Sequence, residues 1–313
     1  MMDLGRLRAL HAVAVHGSVG GAAAALGFTP SAVSQQIAKL ERETRTVLLE
    51  KQGRGVVLTD AARELATTAQ AVLGLVEQAE VRLEEQRGQA VGRLLVAAFP
   101  SGARGLMPGA LAELRRRCPE LDVRLLESDP YPAAELVARG EVDLALVQDW
   151  PAVPLPVQEG LARLDLGTDP VDLLLPDGDD LAALDAVPVA RLRGQRWISV
   201  PPGNICHDWL VRTLREAGEE PDVRYQVGEF ETQIALVAAG LGMGLVPRLG
   251  RGPLPAGVVA RPVASQPSRR VFALWRAQAS RRPAITEALA AMRECWSRLP
   301  GKPAGSGVSW RSR

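Results

Sequence analysis

Cysteine is scarce in this chain. Three stand among 313 residues, at Cys118, Cys206 and Cys295. Their odd number and wide spacing exclude a disulfide framework and a cysteine-built metal cluster. Histidine is equally scarce, with three residues, too few for a metal site. No metal and no cofactor is therefore expected. Aromatic residues make up 4% of the chain, so aliphatic side chains must fill the cores that a 47% hydrophobic composition allows. Neither sign of charge is in excess. The net charge of +1 gives no global field for a polyanion, and any nucleic-acid footprint must be local. No apolar run reaches the roughly 20 residues that span a bilayer. Arg6 and Arg8 precede the apolar stretch 9–15, but His11 and His16-Gly17 break it and no cleavage site follows. An amphipathic helix is expected there, in a cytoplasmic protein with no membrane partner. Catalytic frames are missing as well. Gly240-Leu241-Gly242-Met243-Gly244 precedes a strand, not a phosphate-cradling helix, and neither a nucleophile elbow nor a Walker loop occurs. No catalytic residues and no enzyme activity are expected.

What the chain does have is concentrated first in Ser18–Arg42. Ala22 to Leu26 favours helix, and Gly27 follows where a left-handed cap would end it. Thr29 suits an N-cap, and Pro30 a first helical turn. Val33, Ile37 and Leu40 then share one buried face. Ser31, Ser34, Gln35, Lys39 and Arg42 point away from it. Hydroxyls and amides early in a helix suit base edges, and later cations suit phosphates. The alternative is an ordinary helical hairpin with a polar outer face. Leu48 to Thr59 adds a hairpin signal around Gly53-Arg54-Gly55, a basic wing beside the second helix. Lys51 and Arg54 would meet phosphate or the minor groove, or else be a solvated turn.

Residues 4–62 resemble the N-terminal domain of the LysR-type transcriptional regulators. The run Thr29-Pro30-Ser31-Ala32-Val33-Ser34-Gln35-Gln36-Ile37 carries the likeness, with Gly17-Ser18, Ala22-Ala23, Leu40-Glu41, Gly53-Arg54 and Leu58-Thr59 around it. Leu49 and Ala62 depart from the phenylalanine and glycine usual in the family. The resemblance implies an N-terminal winged helix-turn-helix over 1–58 that binds promoter DNA. Its DNA-facing set would be Thr29, Pro30, Ser31, Ser34, Gln35, Lys39 and Arg42, with Lys51 and Arg54 from the wing. Residues 1–58 hold seven Lys and Arg against four Asp and Glu, a modest surplus that favours paired binding.

From Thr59 to Gln86 there is no proline, and Gly74 is the only glycine. Leu58, Ala62, Leu65, Ala69, Val72, Val76, Ala79 and Leu83 recur at spacings of four and three, a seam that predicts one long helix. A narrow stripe calls for a partner helix, and a second copy of the chain is the simplest. Leu65, Ala69, Val72, Val76, Ala79 and Leu83 are the expected dimer contacts, and 59–88 the linker helix. The alternative is packing against the chain's own body. The family resemblance implies the same dimer, and tetramers beyond it, with RNA polymerase as a possible further partner.

Beyond Gly92 apolar strands alternate with helices, which predicts parallel sheets covered on both faces. Strands are expected near 93–98, 121–127, 142–147, 171–175, 197–200, 223–227, 243–246 and 271–275. Helices are expected near 102–117, 133–139, 205–217, 231–239 and 283–299. Two α/β lobes fit, one near 92–164 with 266–300 and the other near 165–265, followed by a disordered tail, 301–313. Gly140-Glu141-Val142-Asp143-Leu144-Ala145 and Val237 to Pro247 resemble the family's effector domain, which is similar to a periplasmic binding protein. In such folds a small molecule sits between lobes, outside the carboxyl ends of strands. The resemblance implies effector contacts at Ser101, Ser128, Gln148, Pro202 and Gly203, with Phe230 opening a helix that faces the cleft. Glu231 beside it would need a partner such as Arg104. Cys206-His207 invites a redox reading, but no second cysteine follows nearby. A transport-type solute-binding protein without a regulatory role and a ligand-free structural DNA binder are the remaining alternatives.

Overall fold

The computed structural model describes residues 2–52 and 55–300. Arg54 at the wing tip and the expected tail, 301–313, lie outside them. The described chain divides into two units, Met1–Arg87 and Gly88–Arg313.

In the first unit, Asp3 caps α1 (Leu4–His16) by accepting from the Gly5 and Arg6 amides. Ser18 caps α2 (Val19–Leu26), and Gly27 ends it in the left-handed region at φ 68°. Thr29 accepts from the Ala32 amide and caps α3 (Pro30–Thr44). Such caps contribute about 1 kcal/mol each. The hairpin β1 (Leu49–Gln52) and β2 (Gly55–Leu58) follows. Then comes α4 (Asp60–Arg87), the expected long helix. Val33, Ile37 and Leu40 are fully buried with Leu10, Ala22 and Ala23.

The second unit holds β3 (Gly92–Ala98), α5 (Pro100–Gly105), α6 (Met107–Arg117), β4 (Leu121–Glu127), α7 (Pro130–Ala138), β5 (Leu144–Asp149), β6 (Leu161–Pro176), β7 (Arg196–Ser199), α8 (Ile205–Glu216), β8 (Asp222–Gln226), α9 (Phe230–Ala238), β9 (Gly244–Pro247), β10 (Val258–Pro262), β11 (Ser268–Arg276) and α10 (Pro283–Ser297). One seven-stranded sheet runs in the order β10-β6-β11-β5-β3-β4, with β9 also paired to β6. β7 and β8 form a parallel pair.

The expected parallel sheets are in fact one mixed sheet and one parallel pair. β3 is parallel to β4 and β5, but β11 is antiparallel to β5 and β6, and β9 and β10 are antiparallel to β6. The reason is that the chain passes between lobes along the strands themselves. β6 runs through the expected lobe border at 164, and β11 returns beside it without a crossover helix. One packed core lies between the sheet, α6 and α10. A second runs without a break from Ala133 and Val137 of α7 to Trp209 and Leu214 of α8.

Candidate functional site

The polar face of α3 is built by its apolar face. Burial of Val33, Ile37 and Leu40 leaves Thr29, Pro30, Ser31, Ser34, Gln35, Lys39 and Arg42 exposed, and Lys51 is exposed on the hairpin. Glu41 fastens the hairpin to the helix, its Oε1 accepting from the Leu48 and Leu49 amides at 2.8 and 3.1 Å. Sequence reasoning took Glu41 only as a matching position. It also passed over Phe28, whose ring is 57% exposed directly before the cap of α3. A large aromatic off any apolar stripe was the available signal.

The α4 seam divides. Ala62, Ala66 and Ala69 are buried in the first unit's own core, and Leu65 and Val72 pack against it. Ala69, with no exposed surface, cannot be a dimer contact, and Leu65 and Val72 are partly used up. Helix α1 takes the place expected for a partner on this half. On the other half Leu75 is 64% exposed and Leu83 56%, with Ala79 exposed between them. These three follow one another at i, i+4 and i+8 and lie on one face.

In the second unit, the carboxyl end of β5 meets the start of α8. Gln148, 1% exposed, donates from Nε2 to Cys206 Sγ at 3.3 Å. Its Oε1 has no partner among the described residues, and neither has the buried Nε1 of Trp150. The Trp150 ring stacks on Trp209, with centroids 3.7 Å apart and planes 6° apart. Tyr131 donates to Asp208 at 3.0 Å. Burial and this contact push the Tyr131 hydroxyl up to about 12. Burial likewise pushes the Cys206 thiol up, while Arg269, Trp150 and Gln148 pull the other way. The Trp150 indole faces the sulfur without the alignment of a hydrogen bond. Trp150, Cys206, Trp209, Phe230 and Gln233 help to line a small cavity.

The sequence-derived effector set is only partly brought together. Phe230 lines this cavity, Gln148 reaches only to Cys206, which lines it, and Ser128 is half-buried beside Asp129. Ser101 is committed elsewhere. It is 2% exposed and accepts from Arg269 Nη2 at 2.7 Å, because that buried guanidinium must be satisfied. Pro202 and Gly203 are also corrected. Gly203 turns the chain at φ +85°, Asn204 caps α8, and it is Ile205 and Cys206 that go inward. Pro202 lines an outer groove with His207 and Arg212. Glu231 is paired with Arg104 at 3.3 Å, as its position requires. Trp150 and Trp209 were missed, because a lone tryptophan at a strand end reads as ordinary core.

Two family descriptions match the chain. Residues 4–63 match the bacterial regulatory helix-turn-helix protein of the lysR family, and residues 87–297 the LysR substrate binding domain. A probable HTH-type transcriptional regulator LrrA of Synechococcus elongatus is 29% identical over 293 residues, covering 94% of this chain and 97% of that one. A probable hydrogen peroxide-inducible genes activator of Streptomyces viridosporus is 30% identical over 306 residues, covering 95% and 96%. Among solved structures, a full-length OxyR variant from Pseudomonas aeruginosa superposes with a TM-score of 0.68 at 24% identity, covering 94% of this chain and 99% of that one. Full-length CbnR complexed with its target DNA gives 0.56 at 20% identity, covering 94% and 100%, and at such identity shows the fold alone. An exposed reading helix, a substrate-binding unit and matches over both halves converge on one conclusion: the chain belongs to the LysR family of DNA-binding transcriptional regulators, which are not enzymes.

Proposed function

We propose that the chain binds promoter DNA as a two-fold dimer, or as a dimer of dimers. In this reading a small molecule held between the lobes of the second unit alters the dimer's grip on the duplex. The observation that carries it is a pair of buried polar atoms without partners among the described residues, Gln148 Oε1 and Trp150 Nε1, beside Cys206 where β5 meets α8, in a chain that also exposes the polar face of α3. Two copies of that face would meet half-sites about 34–36 Å apart. A change in DNA bend would then change contact with RNA polymerase. Gel shifts of the intact chain with DNA upstream of its gene and of neighbouring genes test the core of this reading. A retarded complex that survives random-sequence competitor is expected. Equal competition by random and upstream DNA would reject it.

Thiol-based redox sensing has specific support as a second reading. Cys206 stands in the first turn of α8 and lines the cavity, and one relative is described as a probable activator of hydrogen peroxide-inducible genes. Burial, however, holds its thiol above the ordinary range, which opposes formation of the reactive thiolate. Cys118 and Cys295 belong to the core around α6 and α10, not to the one that Cys206 joins. Ligand sensing is therefore the better-supported reading. Peroxide treatment before the gel shift separates the two, and unchanged affinity is the expected result.

A further inference from the structure

Within the reading of the cleft as an effector site, the cavity's chemistry narrows the class of ligand. Lined as described, it keeps about 10 Å³ of water-accessible space, room for about one water. A ligand must therefore displace a side chain. The Trp150–Trp209 stack is the natural point of entry. It joins the end of β5 in one lobe to α8 in the other. Its centroid spacing of 3.7 Å and near-parallel planes make it a close sandwich. Aromatic pairs prefer offset or edge-on arrangements, so another ring stacked on Trp150 can match what this pair gains from its geometry.

The lining is uncharged. Among the described residues that line the cavity, none is acidic or basic. The nearby cations are committed. Arg269 donates to Asp169 and Ser101, and Arg104 pairs with Glu231 and donates to the Gly250 carbonyl. One amide at the start of α8 is committed too, since that of Cys206 donates to Asn204 Oδ1. The groups that remain around α8's first turn are His207, whose Nδ1 meets the Val200 carbonyl at 3.0 Å, and the acids Asp129 and Asp208. A buried carboxylate would find no charged partner on the lining itself, and Arg269, whose field reaches Cys206, is already spent on Asp169 and Ser101. Besides Ser199 and Gln233, the lining holds one buried donor without a partner among the described residues, Trp150 Nε1. Gln148 Oε1 is a buried acceptor without such a partner beside the lining residue Cys206, whose sulfur both side chains face. A single hydroxyl accepts and donates at once and can answer both.

We propose that the effector is a compact, uncharged, planar aromatic molecule bearing a hydroxyl or an N–H. Its ring stacks on Trp150 in the place that Trp209 fills in this structure. Release of Trp209 removes the stacked contact between α8 and the end of β5, leaving the Gln148–Cys206 bond, and so changes the relation between lobes.

Phenol, toluene and benzoate, titrated into the full-length protein, test this. The readouts are the Trp–Trp exciton couplet in circular dichroism, the melting temperature and retention of operator DNA. Phenol should abolish the couplet and raise the melting temperature, and benzoate should do neither. Trp209→Phe should lack the couplet yet still bind phenol, which assigns the signal to this pair. Gln148→Leu should weaken phenol roughly tenfold and remove its advantage over toluene. Benzoate acting at lower concentration than phenol would overturn the uncharged class and leave the cleft reading standing. Phenol bound with the couplet intact, or no binding by any probe, would overturn the proposal itself. Failure to retain operator DNA without any probe would fault the regulator reading, not this one.

Discussion

Asp129 precedes α7 at its N-cap position, but its side chain makes no capping hydrogen bond. Burial raises its carboxyl above the ordinary range, with Asn204 pulling it down. Raising of a folded-state pKa fixes the sign of the linkage. Protonated Asp129 favours the folded state at pH below the ordinary carboxylate value. That contribution is lost as pH rises through the folded value. At neutral pH the protein therefore carries a desolvated charge that an asparagine in its place would not. Asp129→Asn keeps an acceptor oxygen for Asn204 and should raise the melting temperature at pH 7. The advantage should shrink as pH falls through the raised folded value and Asp129 becomes neutral. Thermal unfolding across that range checks it, and a gain independent of pH would contradict the assignment. The Arg269–Asp169 pair behaves differently, because its charges answer one another. With exposures of 1% and 0%, it would lose about 3–5 kcal/mol if one partner were removed.

Helix α3 separates two kinds of contact along its length. Ser34 and Gln35 lie exposed in its first half, Lys39 and Arg42 in its second. Arg42 Nε is bonded to the Ala38 carbonyl, which orients its guanidinium along the helix. Gln35→Ala should therefore cost about 1–3 kcal/mol on the specific site and little on random DNA. Lys39→Ala should weaken both and lower the salt slope by about 1. Fluorescence anisotropy on both DNAs at several salt concentrations distinguishes them, and equal loss on both DNAs for Gln35→Ala would remove it as a base reader. Elements like α3 were legible because cap, proline and stripe agree locally. Others were not, for reasons that are physical. The expected helix 102–117 breaks at Leu106 because Pro108 cannot donate and crowds the carbonyl of residue 104. Strand β6 was missed over most of its length because Gly167 and Pro170 look like punctuation. Gly167 is there for its neighbour. A Cβ would lie 2.6 Å from Trp296 Nε1, and the β6–β11 register shifts beside it. Likewise the Ser101 hydroxyl looked free because Arg269 is 168 residues away in sequence. Contacts of that range leave no local pattern.

At the scale of the molecule, the proposed coupling of effector to DNA needs assembly, and α4 is the element that can supply it. Its first half is spent inside the first unit, against α1. A substitution such as Val72→Asp would therefore damage that unit's own core and could not report on dimerisation. Its second half presents Leu75, Ala79 and Leu83 with nothing of the first unit's core over them. Burying two leucines of this kind in each of two chains contributes about 1.5–3 kcal/mol per side chain. That is enough to matter to a dimer and small enough to be lost by substitution. Leu75→Asp with Leu83→Asp should convert the proposed dimer to monomers in light scattering while the helix-turn-helix keeps its circular dichroism and melting temperature. Because the modest surplus of positive charge near α3 supports only weak single-site binding, the same variant should lose most of its affinity for a two-half-site operator. It should keep its affinity for a single half-site. A double variant that remains dimeric would move the interface off α4, and one that unfolds the first unit would show that these leucines belong to its core.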